Sequence, residues 1–383
     1  MENERWRSES IPPTLGILIP PPEGAPEPSG KAAHTRRSQI PPILATGRSA
    51  NPKAGGNLPR RPSLAPRPPT AAAIAPGAGA VVMGTGIVSV ALALGGQQKV
   101  SYVLLVVAAI VWIALGLVLL GRAGWDRPRF LAEARSPAGL TGVAATAVLG
   151  ARVVELGWGT LGGVLLVVAL LVWPILTIVV LRRIRPRLGG EWFMVTVASE
   201  GLAALAAGVA VAEHARWLAD LALVLAAVGL SLYPLVVVRF DAHGLAAGRG
   251  EHWVAGGSLA IAALAFAQLA TAERRLGGMP GSSGSLAKIA LALWLGAMLW
   301  LVALVIAELR WPRTRYHPHR WSTVFPLGMY AVCSFNVAVA NRTPWIADFA
   351  RGWTWISLAV WTLTFTGMLR RGLSAPAETR YGF

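Results

Sequence analysis

The sequence predicts an all-α integral membrane protein of ten transmembrane helices joined as five hairpins, with the odd helices in an inner pore ring and the even ones outside. Three observations predict it. The composition is too apolar for a water-soluble domain, ten apolar runs have membrane-crossing length, and odd and even runs differ in the same way five times over.

Of the 383 residues, 54% are hydrophobic and 14% charged, and the mean hydropathy is +0.54. Such a chain needs lipid as its solvent. The net charge of +17 would suit nucleic acid if basic side chains were spread over a folded surface. Here they sit between apolar runs, so nucleic acid is excluded as the partner. Cys333, the single cysteine, lies inside an apolar run, which excludes a disulfide framework and a cysteine zinc site.

Residues 1–70 are proline-rich, lack a long apolar run and carry only basic charge beyond Glu27. They read as a disordered basic cytoplasmic tail, or as sequence ahead of the true start. No signal-peptide core and cleavage site stand there, so no secretory processing is expected. The transmembrane domain is placed over residues 71–373 and a short cytoplasmic tail over 374–383. Apolar runs fall near 76–95, 101–121, 138–154, 160–181, 192–212, 217–238, 253–272, 286–308, 321–340 and 353–370. At about 1.5 Å per residue each can cross the hydrocarbon core as a helix.

Basic residues give the direction. The loops after even runs, with the C-terminal tail, hold Arg127, Arg129, Arg182, Arg183, Arg185, Arg187, Arg313, Arg320, Arg370 and others. The opposite loops, with Lys99, Arg152, Arg216, Arg274, Arg275, Lys288, Arg342 and Arg351, hold about half as many, which places both termini in the cytoplasm of a multi-pass plasma-membrane protein.

Odd runs are rich in small and polar residues: Gly84, Thr85, Gly86 and Ser89; Thr141, Gly142, Thr146 and Gly150; Thr196, Ser199 and Glu200; Gly256, Gly257 and Ser258; Pro326, Gly328 and Ser334. Even runs are Leu, Val, Ile and Trp, with an aromatic residue ahead of a cytoplasmic arginine: Trp112, Trp173, Tyr233, Trp300 and Trp361. One hairpin repeated five times fits this pattern. Bulky aliphatic side chains can face lipid and small polar ones cannot, so the odd helices belong inside, around an axis with room for a narrow channel. Small residues also permit tight helix packing without any channel.

Glu200 is the acidic residue nearest mid-span, where an ionisable group costs about 2.5–3.5 kcal/mol or more unless paired or hydrated. It reads either as a proton-coupling, pore-facing group or as a structural carboxyl. Pro326 should kink the ninth run just after Phe325. A phenylalanine at a bend can plug a narrow pore, although composition alone favours packing or lipid contact for Phe325. His317 and His319 flank basic residues in a loop without further metal ligands, so no metal and no cofactor are expected. Gly84-Thr85-Gly86 lies in an apolar span without a GKS or GKT ending, and neither HExxH nor GxSxG occurs, which argues against an enzyme.

Val81-Val82-Met83-Gly84-Thr85-Gly86-Ile87-Val88-Ser89 resembles the opening helix of the tellurite-resistance/dicarboxylate transporter family, which includes fungal malate and sulfite carriers and plant slow anion channels. Trp321-Ser322-Thr323-Val324-Phe325-Pro326-Leu327 resembles its ninth helix, and Asp241 to Ile261, with His252-Trp253, its seventh-helix entry. Arg320 stands where the ninth-helix motif usually carries a second tryptophan. The resemblance implies a homotrimer, each protomer with its own pore for small anions such as malate, sulfite, chloride, nitrate or a tellurite-type oxyanion, and their movement is read as passive or proton-linked. It implies Phe325 as the gate. Glu200, Gly84, Thr85, Gly86, Gly142, Ser199, Ser258, Pro326 and Gly328 are the pore-lining or coupling candidates. A membrane scaffold or sensor recruiting partners or anionic lipid through its basic N-terminal segment is the alternative.

Overall fold

The computed structural model describes residues 78–374, apart from 249, 314 and 315; the tail expected over residues 1–70 and residues 375–383 lie outside that range. Ten long helices follow in order: α1 (Gly79–Leu94), α2 (Gln98–Trp125), α3 (Leu140–Glu155), α4 (Gly159–Leu181), α5 (Met194–Ala212), α6 (Arg216–Val237), α7 (Trp253–Arg275), α8 (Ser282–Arg310), α9 (Trp321–Asn341) and α10 (Pro344–Ser374). Short helices at Arg127–Ala134 and His243–Ala247 sit in two of the longer connections.

Eight of these helices are long and apolar enough to cross a membrane, which makes the chain an all-α membrane protein. Helix α1, with 16 residues, is shorter, and α10, diluted by Trp353, Trp355, Thr362, Thr364 and Thr366, is not among the eight.

Each even helix packs on the odd helix before it, and the odd helices touch in the closed order α1, α3, α5, α7, α9 and back to α1. Between 67 and 89% of the most apolar stretch is buried in α3, α5, α7 and α9, against 17 to 28% in α2, α4, α6 and α8. Small residues let the odd helices approach closely. A Cβ at Gly86 would lie 2.9 Å from Val148 Cγ1 of α3, and one at Gly328 2.6 Å from Ile87 Cγ2 of α1. Leu117, Leu120, Leu171, Ile175, Leu299 and Ile306 of the even helices are exposed, a surface that only lipid or another subunit can cover at low cost.

Four of the five turns that close a hairpin are two or three residues long. Each of the five turns holds a residue of positive φ, namely Gly96, Gly157, His214, the pair Gly277 and Gly281, and Arg342. Such backbone is unstrained for glycine and costly for His214 and Arg342. At the other end the connections are longer and tied together. Leu188 exchanges backbone hydrogen bonds with Arg239 and Asp241 at 2.9 Å, and Arg313 donates to the carbonyls of Gly248 and Leu245 at 2.6 Å.

Helix α9 is continuous from Trp321 to Asn341 with Pro326 inside it, and a proline in the second turn takes the donor from a first-turn carbonyl. One expectation about helix ends is corrected. Helix α10 starts at Pro344 rather than near residue 353; proline suits a first helical position, and the helix extends the apolar run backwards through Asp348 and Arg351.

Candidate functional site

The repeated aromatic of the even helices has a geometric role. Trp112 Nε1 donates to Thr146 Oγ1 at 2.9 Å, Trp173 Nε1 to Ser199 Oγ at 3.1 Å and Trp361 Nε1 to Thr85 Oγ1 at 3.0 Å. Tyr233 Oη donates to the Ala255 carbonyl at 3.3 Å. In the fourth hairpin Trp294 takes the part, donating to Ser334 Oγ at 2.8 Å, while Trp300 packs edge-on against Phe240. Each even helix is thus pinned to the odd helix of the following hairpin, with α10 pinned back to α1. An indole N–H inside a membrane needs an acceptor, and these hydroxyls supply it.

The consequence falls on the candidates. Thr85 and Ser199 turn outward, to α10 and α4, and do not face the axis of the ring. Gly142 lies one turn before the outward Thr146, whose hydroxyl donates to its carbonyl at 2.9 Å, so it shares that outward face. Gly84 and Gly86 face α9 and α3 respectively, and Gly328 faces α1. They are contact points between inner helices.

The inward faces follow from the outward ones. Nine residues turn a helix by about two and a half turns and so reverse its face. Nine beyond Thr85, Thr146 and Ser199 stand Leu94, Glu155 and Gly208, and all three line one cavity of about 1080 Å³. The cavity lies where the C-terminal ends of the five odd helices converge, with Gln268, Thr271 and Arg275 from α7, Asn336 and Val339 from α9, and Arg351 from α10. By the same rule Phe325, nine residues before Ser334, points inward. It is buried and shares a face with Asn336, three turns or about 16 Å farther along α9. Ser258, buried and bonded to its own helix at the Ala255 carbonyl, stands about 160° from Gly256, which abuts Trp300 and Leu304 of α8. Pro326 packs on Gly257 of α7.

Two inward residues were missing from the candidates. Met83 is buried and stands about 160° from outward Thr85, and a Cβ at Gly201 would meet both Ala147 of α3 and Ile261 of α7 at 3.5 Å. The signal was present in the small and apolar residues that alternate with the hydroxyls. It was masked by the premise that polar groups line the axis.

Glu200 is fully buried, and neither carboxyl oxygen has a hydrogen-bond partner among the described residues. Its side chain lies against Gly229 of α6. It therefore occupies the seam between inner and outer helices.

Arg152 is not a loop charge. It lies within α3, 2% exposed, and donates to Ser101 Oγ and Gln98 Oε1 at 3.2 Å and to Glu155 Oε2 at 3.3 Å. At the opposite end Glu308 accepts from Arg313 at 2.7 Å and from Arg320 at 2.9 Å. His252 beside them is buried, with both ring nitrogens unpartnered among the described residues. Loss of hydration, with Arg313 and Arg320 adding to it against Glu251 and Glu308, pushes this imidazole down to about 4. The folded chain then keeps His252 neutral where the unfolded chain protonates it, so stability present at neutral pH is lost as pH falls from about 6.5 to about 4. A loss of about 2–3 kcal/mol is expected. Melting in detergent across this range checks it, and His252→Asn should flatten the acid slope.

No group of three or more metal-ligating side chains occurs among the described residues.

Over a 127-residue stretch, 31% of this chain, the sequence is 34% identical to an uncharacterized membrane protein of Mycobacterium tuberculosis, in strains CDC 1551 / Oshkosh and ATCC 25618 / H37Rv. The match spans 62% of that relative's length. A family model described as voltage-dependent anion channel matches residues 73–369, which takes in all ten long helices almost to the end of α10. On that match the chain is a membrane-embedded member of the voltage-dependent anion channel family, whose members carry anions across membranes.

Proposed function

We propose that this chain passes small anions along the axis of the inner ring, with Phe325 as its gate and without energy coupling. The anions are C4-dicarboxylates such as malate, or inorganic ions such as sulfite, chloride, nitrate or a tellurite-type oxyanion. The observation that carries this reading is the inward face of α9, on which Phe325 stands about three turns from the wide cavity at Asn336. An apolar constriction excludes water and so blocks ions until it moves. All five odd helices run in one direction, so their N-terminal dipole ends gather at the end with the basic loops, where anions are concentrated. Glu200, facing α6, serves packing in this reading and not coupling.

The frame proposed around this pathway has all ten helices crossing the plasma membrane, α1 and α10 included. Both termini are cytoplasmic, and three copies assemble through exposed even helices.

Purified protein in vesicles, assayed against a panel of these anions, tests the reading. Flux of at least one anion above protein-free vesicles is expected, and a flat panel would overturn it.

A further inference from the structure

The cavity at the C-terminal ends of the odd helices has an electrostatic property that the gate does not use. Glu155 and Glu213 line it and are matched one for one by Arg275 and Arg351. Arg275 has no carboxylate partner among the described residues, while Arg351 pairs with Asp348. The other charged groups on the packed elements are Arg152 behind Glu155, Lys99 at the start of α2, and the Arg216–Glu273 pair between α6 and α7, with Asp220 beside it. Arg274 of α7, bonded to the Ala340 carbonyl, and Arg342 both sit at the C-terminal end of α9. Helices α1 and α4 contribute no charge. His214, held at positive φ in the α5–α6 turn, also lines the cavity. Five helix C-termini, each worth about half a negative charge, add to the carboxylates.

We propose that this cavity is an anion-binding antechamber under proton control, in which Arg275 and Arg351 hold a small anion and protonation of Glu155, Glu213 and His214 raises its occupancy. The proposal rests on the anion-transport reading. With both carboxylates ionised, the arginines are offset and the helix ends leave the site unfavourable to anions. Protons arriving on that side lower the negative charge and raise the positive charge of a concave wall, where field focusing raises local ion concentration by about tenfold or more. Transport therefore responds to the pH of one compartment only.

Oriented protein in planar bilayers, with pH set separately on each side, tests this. Lowering the cavity-side pH from about 8 to about 5 should raise anion entry from that side at least about fivefold. The same change on the other side should leave it within about twofold. The triple variant Glu155→Gln, Glu213→Gln, His214→Asn should carry the raised flux already at neutral pH and lose the acid response. Because Glu155 also supports Arg152, the double variant Glu213→Gln, His214→Asn serves as a milder version and should lose part of the response. Arg275→Gln should remove most of the acid-stimulated component. An equal response from both sides, or an acid response surviving in a folded triple variant, overturns the proposal. Absence of flux through both the native protein and Phe325→Ala overturns the transport reading itself; flux without a one-sided acid response overturns the antechamber alone.

Discussion

Replacing Phe325 with alanine is expected to raise anion flux in vesicles by at least about tenfold, since about 1.4 kcal/mol off a barrier is a factor of ten. The ring stands on the inward face of α9, buried and opposite the Trp294–Ser334 hydrogen bond that pins the other face to α8. Its neighbours on α9 are fixed: Val324 touches Gly84, and Pro326 packs on Gly257. With the helix clamped on three sides, the proposed mechanism assigns the blocking and clearing of the axis to the phenyl ring. Truncating a buried Phe also costs about 3–5 kcal/mol of stability where it only fills a core. Flux and melting must therefore be read together. Higher flux at retained fold supports a gate, with Phe325→Leu intermediate. Unchanged flux from a folded but destabilised variant would return Phe325 to the core.

Helix positions were legible because lipid imposes them. A run of about 20 apolar residues with arginines at its end has few other solutions in a bilayer, and nine of the ten helices start within about four residues of their expected places. Helix α10 departs because Asp348 and Arg351 end an apolar run without ending a helix. The odd and even contrast was equally legible. Small residues are needed wherever inner helices meet, as Gly86 against Val148 illustrates.

Side-chain direction was less legible. Composition places Thr85 and Ser199 on an inner helix but does not say which face they occupy. The indole donors that decide it come from helices far away in the chain, Trp361 for Thr85 above all. In the sequence the repeated aromatic marks a position ahead of arginines, whereas the partner of Trp112, Trp173 and Trp361 is a hydroxyl of another hairpin. Phe325, singled out by resemblance to a motif, stands opposite Ser334 by helix periodicity. Arg152 could not be told from a loop arginine, because Ser101 and Gln98, which satisfy it, come from another helix.

Glu200 is where the packing and coupling readings make opposite predictions. A methyl group at Gly229 would sit 2.7–2.8 Å from its Oε1, Cδ and Cγ, closer than a side chain tolerates, so Gly229→Ala should destabilise by about 1–3 kcal/mol through overpacking. If that clash is the cause, adding Glu200→Ala to Gly229→Ala makes room for the methyl, and the pair should lose about 1–2 kcal/mol less than the two single changes added together. Additive losses would place Glu200 away from Gly229. Glu200→Gln keeps the shape and removes the proton site. In a seam facing α6 it should leave both the flux and its dependence on pH as they are, because the protons that matter bind at the cavity, at Glu155 and Glu213. A flux that persists in Glu200→Gln but loses its pH dependence would instead make the seam the coupling site, and the inner and outer rings would then have to move against each other across the α5–α6 contact.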